Sequence, residues 1–180
     1  DWAAAGGGGA WNLIGTSVAS ASASLTITGL DSTYDSYAIG MADLIPATDA
    51  VYAWIRVGDV GGVDSGASDY IYNQRGKSNA GTTFLGNGAT AAQIGIGWAT
   101  IGAIGSAAGE GFGGMLFLNS PSDGPRQPII DGMCSYINST ASLAGISLNG
   151  RRSAVITLDR IQFLFSSGNI TSGRLTVWGI

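Results

Sequence analysis

Read for its alternation of apolar and polar positions, the chain breaks into many short strand-like runs and shows no sustained helical period. The first run is WNLIGTS, residues 11–17. In residues 22–29, Leu25 and Ile27 fall on one face and Ser24, Thr26 and Thr28 on the other. DSTYDSY then turns the chain into a strand over 37–42, which Ile45-Pro46 closes because proline has no N–H to give to a ladder. VYAWIRV, residues 51–57, is apolar on both faces apart from Arg56, the pattern of a central strand covered on two sides. GMLFLN, residues 114–119, is similar and ends at the turn SPSDGP. Runs at 129–138, 142–149, 154–165 and 173–180 complete the series.

Between these runs the pattern weakens. GDVGGVDSGASD is a loop by composition, Tyr70-Ile71-Tyr72 is strand-like, and residues 74–92 carry no clear alternation and are expected to be irregular. QIGIGW, residues 93–98, alternates Ile with Gly, which leaves one face open to close approach of another backbone. Trp54 and Trp98 sit inside strand-like runs and are expected to be buried. About ten or eleven short strands, without βαβ alternation or an internal repeat, predict an all-β fold, an antiparallel β-sandwich of jelly-roll type.

Composition sharpens this picture. The 180 residues suit one domain, read here as residues 11–180, preceded by a flexible Gly/Ala-rich lead-in over residues 1–10 from an upstream segment. Only 11% of residues are charged, Lys77 is the only lysine and Glu110 the only glutamate, so long solvent-facing helices are not expected. A surface so poor in charge implies contact with other chains, here expected to be copies of itself. The net charge of -4, with basic residues scattered except for Arg151-Arg152, argues against nucleic acid as a partner. AAQIGIGWATIGAIGSAA, residues 91–108, is long enough to raise the question of a membrane span, but its glycines and the lack of flanking Lys or Arg argue against membrane insertion.

Candidate chemistry is sparse. Histidine is absent, which removes the usual general base and metal ligand, and the single Cys134 reads as a small core residue. A glycosidase pair needs two placed carboxyls, whereas the Asp residues sit mostly in turns such as Leu-Asp-Ser and Ser-Asp-Gly, where the side chain accepts local backbone hydrogen bonds. No catalytic residue, metal ligand or cofactor is therefore assigned. Asp59, Asp64 and Asp69 do not follow the order of an EF-hand loop and read as solvated carboxylates. Tyr34, Tyr70, Tyr72 and Trp2 have polar or loop neighbours and are the aromatic side chains most open to stacking on a sugar. Asp64, Asp69, Tyr70, Tyr72, Asn73 and Arg75 bring carboxylate, phenol, amide and guanidinium groups within a dozen residues. That mixture suits a polar glycan, and it equally suits packing against a neighbouring subunit. Asn138-Ser-Thr140 and Asn169-Ile-Thr171 fit the N-glycosylation pattern, a frequent chance match, and the second reads as a turn.

The order WNLI, LTITGLDSTYDSY, LIPATD, GEGFGGMLFLNSPSD and finally IQFLFSSGNITSGRLTVWGI resembles the C-terminal modules of tailed-bacteriophage virion proteins. The sharpest part is the closing hairpin, and residues 60–110 lie outside the resemblance. It implies a non-enzymatic β-sandwich on the virion surface, made in the host cytoplasm and commonly a homotrimer. Its expected role is the distal domain of a tail fibre or receptor-binding protein that contacts a host surface glycan or protein. The alternative is a capsid decoration or head-fibre protein in contact only with other virion proteins. A module anchored upstream can end on its last core strand, as this chain does at Ile180.

Overall fold

The computed structural model describes residues 11–119, 121 and 125–180, so the lead-in expected over residues 1–10, with Trp2 in it, lies outside the described residues. The described residues form thirteen strands and one short 3-10 turn, Ala99–Ile101. Eight strands make one antiparallel sheet, in the order β1 (Asn12–Val18), β13 (Ile170–Gly179), β3 (Ser36–Pro46), β9 (Gly111–Asn119), β10 (Ile129–Ile137), β11 (Leu143–Arg152), β6 (Tyr70–Ser78) and β7 (Thr83–Ala91). The second sheet runs β2 (Leu25–Thr28), β12 (Arg160–Phe165), β4 (Ala53–Asp59) and β5 (Gly62–Val63), and β8 (Ile94–Ile96) shares the same edge of β4 as β5. The chain crosses from sheet to sheet through β1–β2–β3–β4 and again through β11–β12–β13, which wraps it around one core as an antiparallel sandwich.

The core lies where the alternation places it. From the larger sheet, Tyr37, Ile39, Leu116, Leu118, Ile146, Leu148, Leu175 and Val177 point inward. Ala53, Ile55, Val57, Ile161 and Phe163 meet them from the smaller sheet. The expected central strand is central: β4 has β12 on one side and β5 and β8 on the other.

Two expectations are corrected. Residues 74–92 are not irregular: β6 and β7 pair as a hairpin with Asn73 opposite Asn87, Arg75 opposite Leu85 and Lys77 opposite Thr83. The alternation is hidden because Gln74, Gly76 and Ser78 of β6 and Gly86 and Gly88 of β7 occupy the inward positions where aliphatic residues would announce a strand. The buried Gln74 amide is satisfied by the backbone of Gly97, accepting from its N–H at 3.3 Å and donating to its carbonyl at 3.5 Å. Trp98 is not buried: it is 40% exposed and lies flat on Phe84, with ring centroids 5.6 Å apart. Trp54 is only half-buried, on the outer side of β4 with the Arg56 guanidinium above its ring.

Candidate functional site

The six residues singled out by composition do not share a surface. A strand sends successive side chains to opposite faces, so Tyr70, Tyr72 and Gln74 of β6 point into the sandwich while Asn73 and Arg75 point out. Tyr70 is fully buried. Its hydroxyl accepts from the Val57 N–H at 2.8 Å and donates to the Val57 carbonyl at 2.9 Å, with the Asp64 carbonyl at 3.0 Å. Burial pushes this phenol well above the usual tyrosine range. The Tyr72 ring fills a niche over Gly88 and Gly95, where a Cβ at either position would collide with it. Gly95 of QIGIGW thus admits a tyrosine ring from β6 rather than another backbone.

Asp64 and Asp69 hold the loop between β5 and β6 in place. Arg152 donates through Nε to Asp64 at 2.7 Å, places Nη2 3.1 Å from the Asp69 carboxylate, and donates through Nη1 to the Asp69 carbonyl at 3.2 Å. Arg152 anchors this loop and was missed in the sequence, where Arg151-Arg152 reads only as a basic doublet. Its signal was there: two consecutive residues in a strand must face opposite ways, so one of the pair had to turn inward and find anions. Asp59, the last residue of β4, accepts the Gly61 N–H at 2.7 Å in the turn to β5.

What remains is the outer face of the eight-stranded sheet, which carries Asn73 and Arg75. The registers align its outward side chains into rows across the strands. One row runs Asp131, Asn149, Asn73, Asn87 over β10, β11, β6 and β7. The neighbouring row on one side is Met133, Ser147, Arg75, Leu85, and on the other side Ile129, Arg151 and Ile71. Open grooves flank the amide row. The larger, about 790 Å³, is lined by Arg75, Lys77, Leu85, Met133 and Ser147 with Gly145 in its wall, and the smaller, about 190 Å³, by Ile71, Ile129, Asn149 and Arg151 with Gly150. Leu85 is 84% and Met133 70% exposed. Arg75, Lys77 and Arg151 make no ion pair among the described residues, whereas Arg152 and Arg160 do.

At the far end of the same face the side chains are aromatic. Trp11 packs edge-on against Phe117 at 6.4 Å and tilted against Trp178 at 5.9 Å, and Leu13 beside them is 63% exposed. Tyr34, the remaining stacking candidate, packs against Tyr37 at 5.6 Å and covers Gly179.

The first N-glycosylation match is an internal turn. Asn138 is buried, its Oδ1 accepts from the Thr140 N–H and hydroxyl and from the Ser142 N–H, and its Nδ2 donates to the Ile101 carbonyl at 2.9 Å. Gly102, at φ 85°, lies so close that any side chain there would strike the Asn138 amide. Asn169 lies in an exposed turn, and its amide donates to the Ala21 carbonyl at 2.8 Å. Other acids serve as local acceptors: Asp31 takes the Thr33 N–H, and Glu110 the Ala107 N–H, at 2.8 and 2.7 Å. Comparison with protein-family models, curated proteins and solved structures finds no match for this chain.

Proposed function

We propose that this chain is a non-enzymatic surface module of a tailed-bacteriophage virion, the distal domain of a tail fibre or receptor-binding protein, which contacts the host through the outer face of its larger sheet. The phage setting comes from the resemblance in the strand and hairpin motifs. The observation that carries the binding role is the broad outer face itself, with amides, cations that make no ion pair among the described residues, and exposed Leu85 and Met133 around two grooves. Binding surfaces of this kind need a rigid scaffold, and a wall of eight hydrogen-bonded strands supplies one.

A second reading is favoured by the other end of that face. The Trp11, Leu13, Phe117 and Trp178 patch is apolar and partly exposed, suited to a fixed contact with another protein chain, either a sister copy in a homotrimer or the capsid of a decorated head. Antibody fragments raised against the chain and applied to particles of the phage that encodes it decide between the two. Labelling at the tail tip, with adsorption blocked, supports the receptor-binding role. Labelling over the head, with adsorption unchanged, supports decoration.

A further inference from the structure

We propose that the Asp131–Asn149–Asn73–Asn87 row and its two flanking grooves form a binding strip for an acidic polysaccharide. This rests on the receptor-binding reading above and names the class of ligand. The row places three exposed amides on adjacent strands, about 4.8 Å apart. Each offers two N–H donors and a carbonyl acceptor to hydroxyl groups, and the side chains of the row bond one another only weakly, Asn73 Nδ2 to Asn149 Oδ1 at 3.4 Å. Cations stand on both sides of it. Arg75 and Lys77, two residues apart on one face of β6, lie about 7 Å from each other along the strand. Arg151 stands level with Ile71, about 13 Å further along at four residues from Arg75. Among the described residues nothing acidic lines either groove, and the one carboxylate of the row, Asp131, sits at its end within 3.3 Å of the Asn119 amide. On a chain of net charge -4, this is a local reversal of sign.

Chemistry selects among anionic partners. A protein partner wants an apolar centre with a polar rim, whereas here the amides are central and Ile129, Ile71, Met133 and Leu85 stand outside them. A nucleic acid wants aromatic platforms facing outward, and the two rings at the grooves are turned inward, Tyr72 into its glycine niche and the buried Phe84 onto Trp98. A chain of uronate sugars asks for hydroxyl-bonding amides, spaced cations for its carboxylates and aliphatic surface for its ring C–H faces, and the strip holds all three.

The test is surface binding of the full chain to immobilised polygalacturonate, with dextran sulfate and neutral dextran alongside. Binding to polygalacturonate that weakens with salt, with dextran inert, is expected. Arg75→Ala with Lys77→Ala should weaken it at least tenfold, and Arg151→Ala severalfold. Response to polygalacturonate alone identifies carboxylate recognition, and response to both anions identifies charge as the shared requirement. No binding to either, binding equal to that of dextran, or variants that bind as the parent does would overturn the proposal. Side-chain amide NMR signals of Asn73, Asn87 and Asn149 in the unmutated protein give an independent readout: they shift on titration with a soluble oligogalacturonide if the strip is used, and stay fixed if it is not. Phage adsorption that antibody fragments block but polygalacturonate leaves unchanged would sink this ligand class while the receptor-binding role stands.

Discussion

At the scale of single residues, the most heavily committed polar group is the Asn138 amide, which ties the turn after β10 to the 3-10 turn at Ile101. Replacing it with alanine leaves the Ile101 carbonyl and the Thr140 and Ser142 N–H groups without a partner. A loss of about 2–3 kcal/mol is expected, because an unsatisfied buried group costs roughly 1–3 kcal/mol. Urea unfolding of Asn138→Ala measures it, and a midpoint equal to the parent's would contradict the assignment. Buried acids set a second expectation. Burial raises the Tyr70 and Tyr136 phenols and pushes the Cys134 thiol up to about 12. The folded chain therefore keeps protons that the unfolded chain gives up, so this contribution is complete below the ordinary thiol and phenol values, 9.0 and 10.0, and is lost as pH rises past them toward the raised values. Calorimetry should show a melting temperature that is flat from neutrality to about pH 9 and then declines. A flat profile through pH 11 or so would count against it.

At the scale of elements, β13 joins β1 to the rest of the larger sheet, with β1 on one side and β3 on the other. Leu175 and Val177 are fully buried, each worth about 1.5–3 kcal/mol of apolar transfer. Truncation after Gly173 removes them and strips β1 of its only ladder partner among the described residues, so the shortened chain should be insoluble or lack a cooperative melt. A soluble truncation with a sharp transition would refute this. The same strand shows what the sequence makes legible: LTVWG alternates, and Leu175 and Val177 take the inner face as the period of two requires. β4 and β9 were equally plain, because each fills its inner side with aliphatic and aromatic residues. The β6–β7 hairpin was not, since its inner side is built from glycine, Gln74, Ser78 and tyrosine rings, whose fit depends on neighbours far along the chain. The candidate site was half legible for the same reason. Composition located Asn73 and Arg75, but only the register of four strands shows that Asn149, Asn87 and Arg151 stand beside them and that Asp64 and Asp69 are spent on Arg152.

At the scale of the whole molecule, the two faces of the sandwich differ in kind. The smaller sheet shows solvent a surface knit by its own contacts: Gln162 donates to Ser24 and Thr26, Arg56 bonds the Ala92 carbonyl and the Gln93 side chain, and Arg160 pairs with Asp159. The larger sheet leaves Arg75, Lys77 and Arg151 without an ion pair among the described residues, so their charge faces outward for a partner. The pairing of β1 with β13 has one more consequence. Asn12 stands directly opposite Gly179, a cross-strand neighbour at about 5 Å, so the backbone already forms a nearly closed loop in space. A short glycine linker from Ile180 to Trp11 should close it, and the chain can then be cut at the exposed turn of residues 79–82 between β6 and β7. The resulting circular permutant should fold to the same sandwich and melt cooperatively. Its new ends would lie at the Lys77–Thr83 end of the larger groove, where a fused tag or fluorophore would report on what binds there.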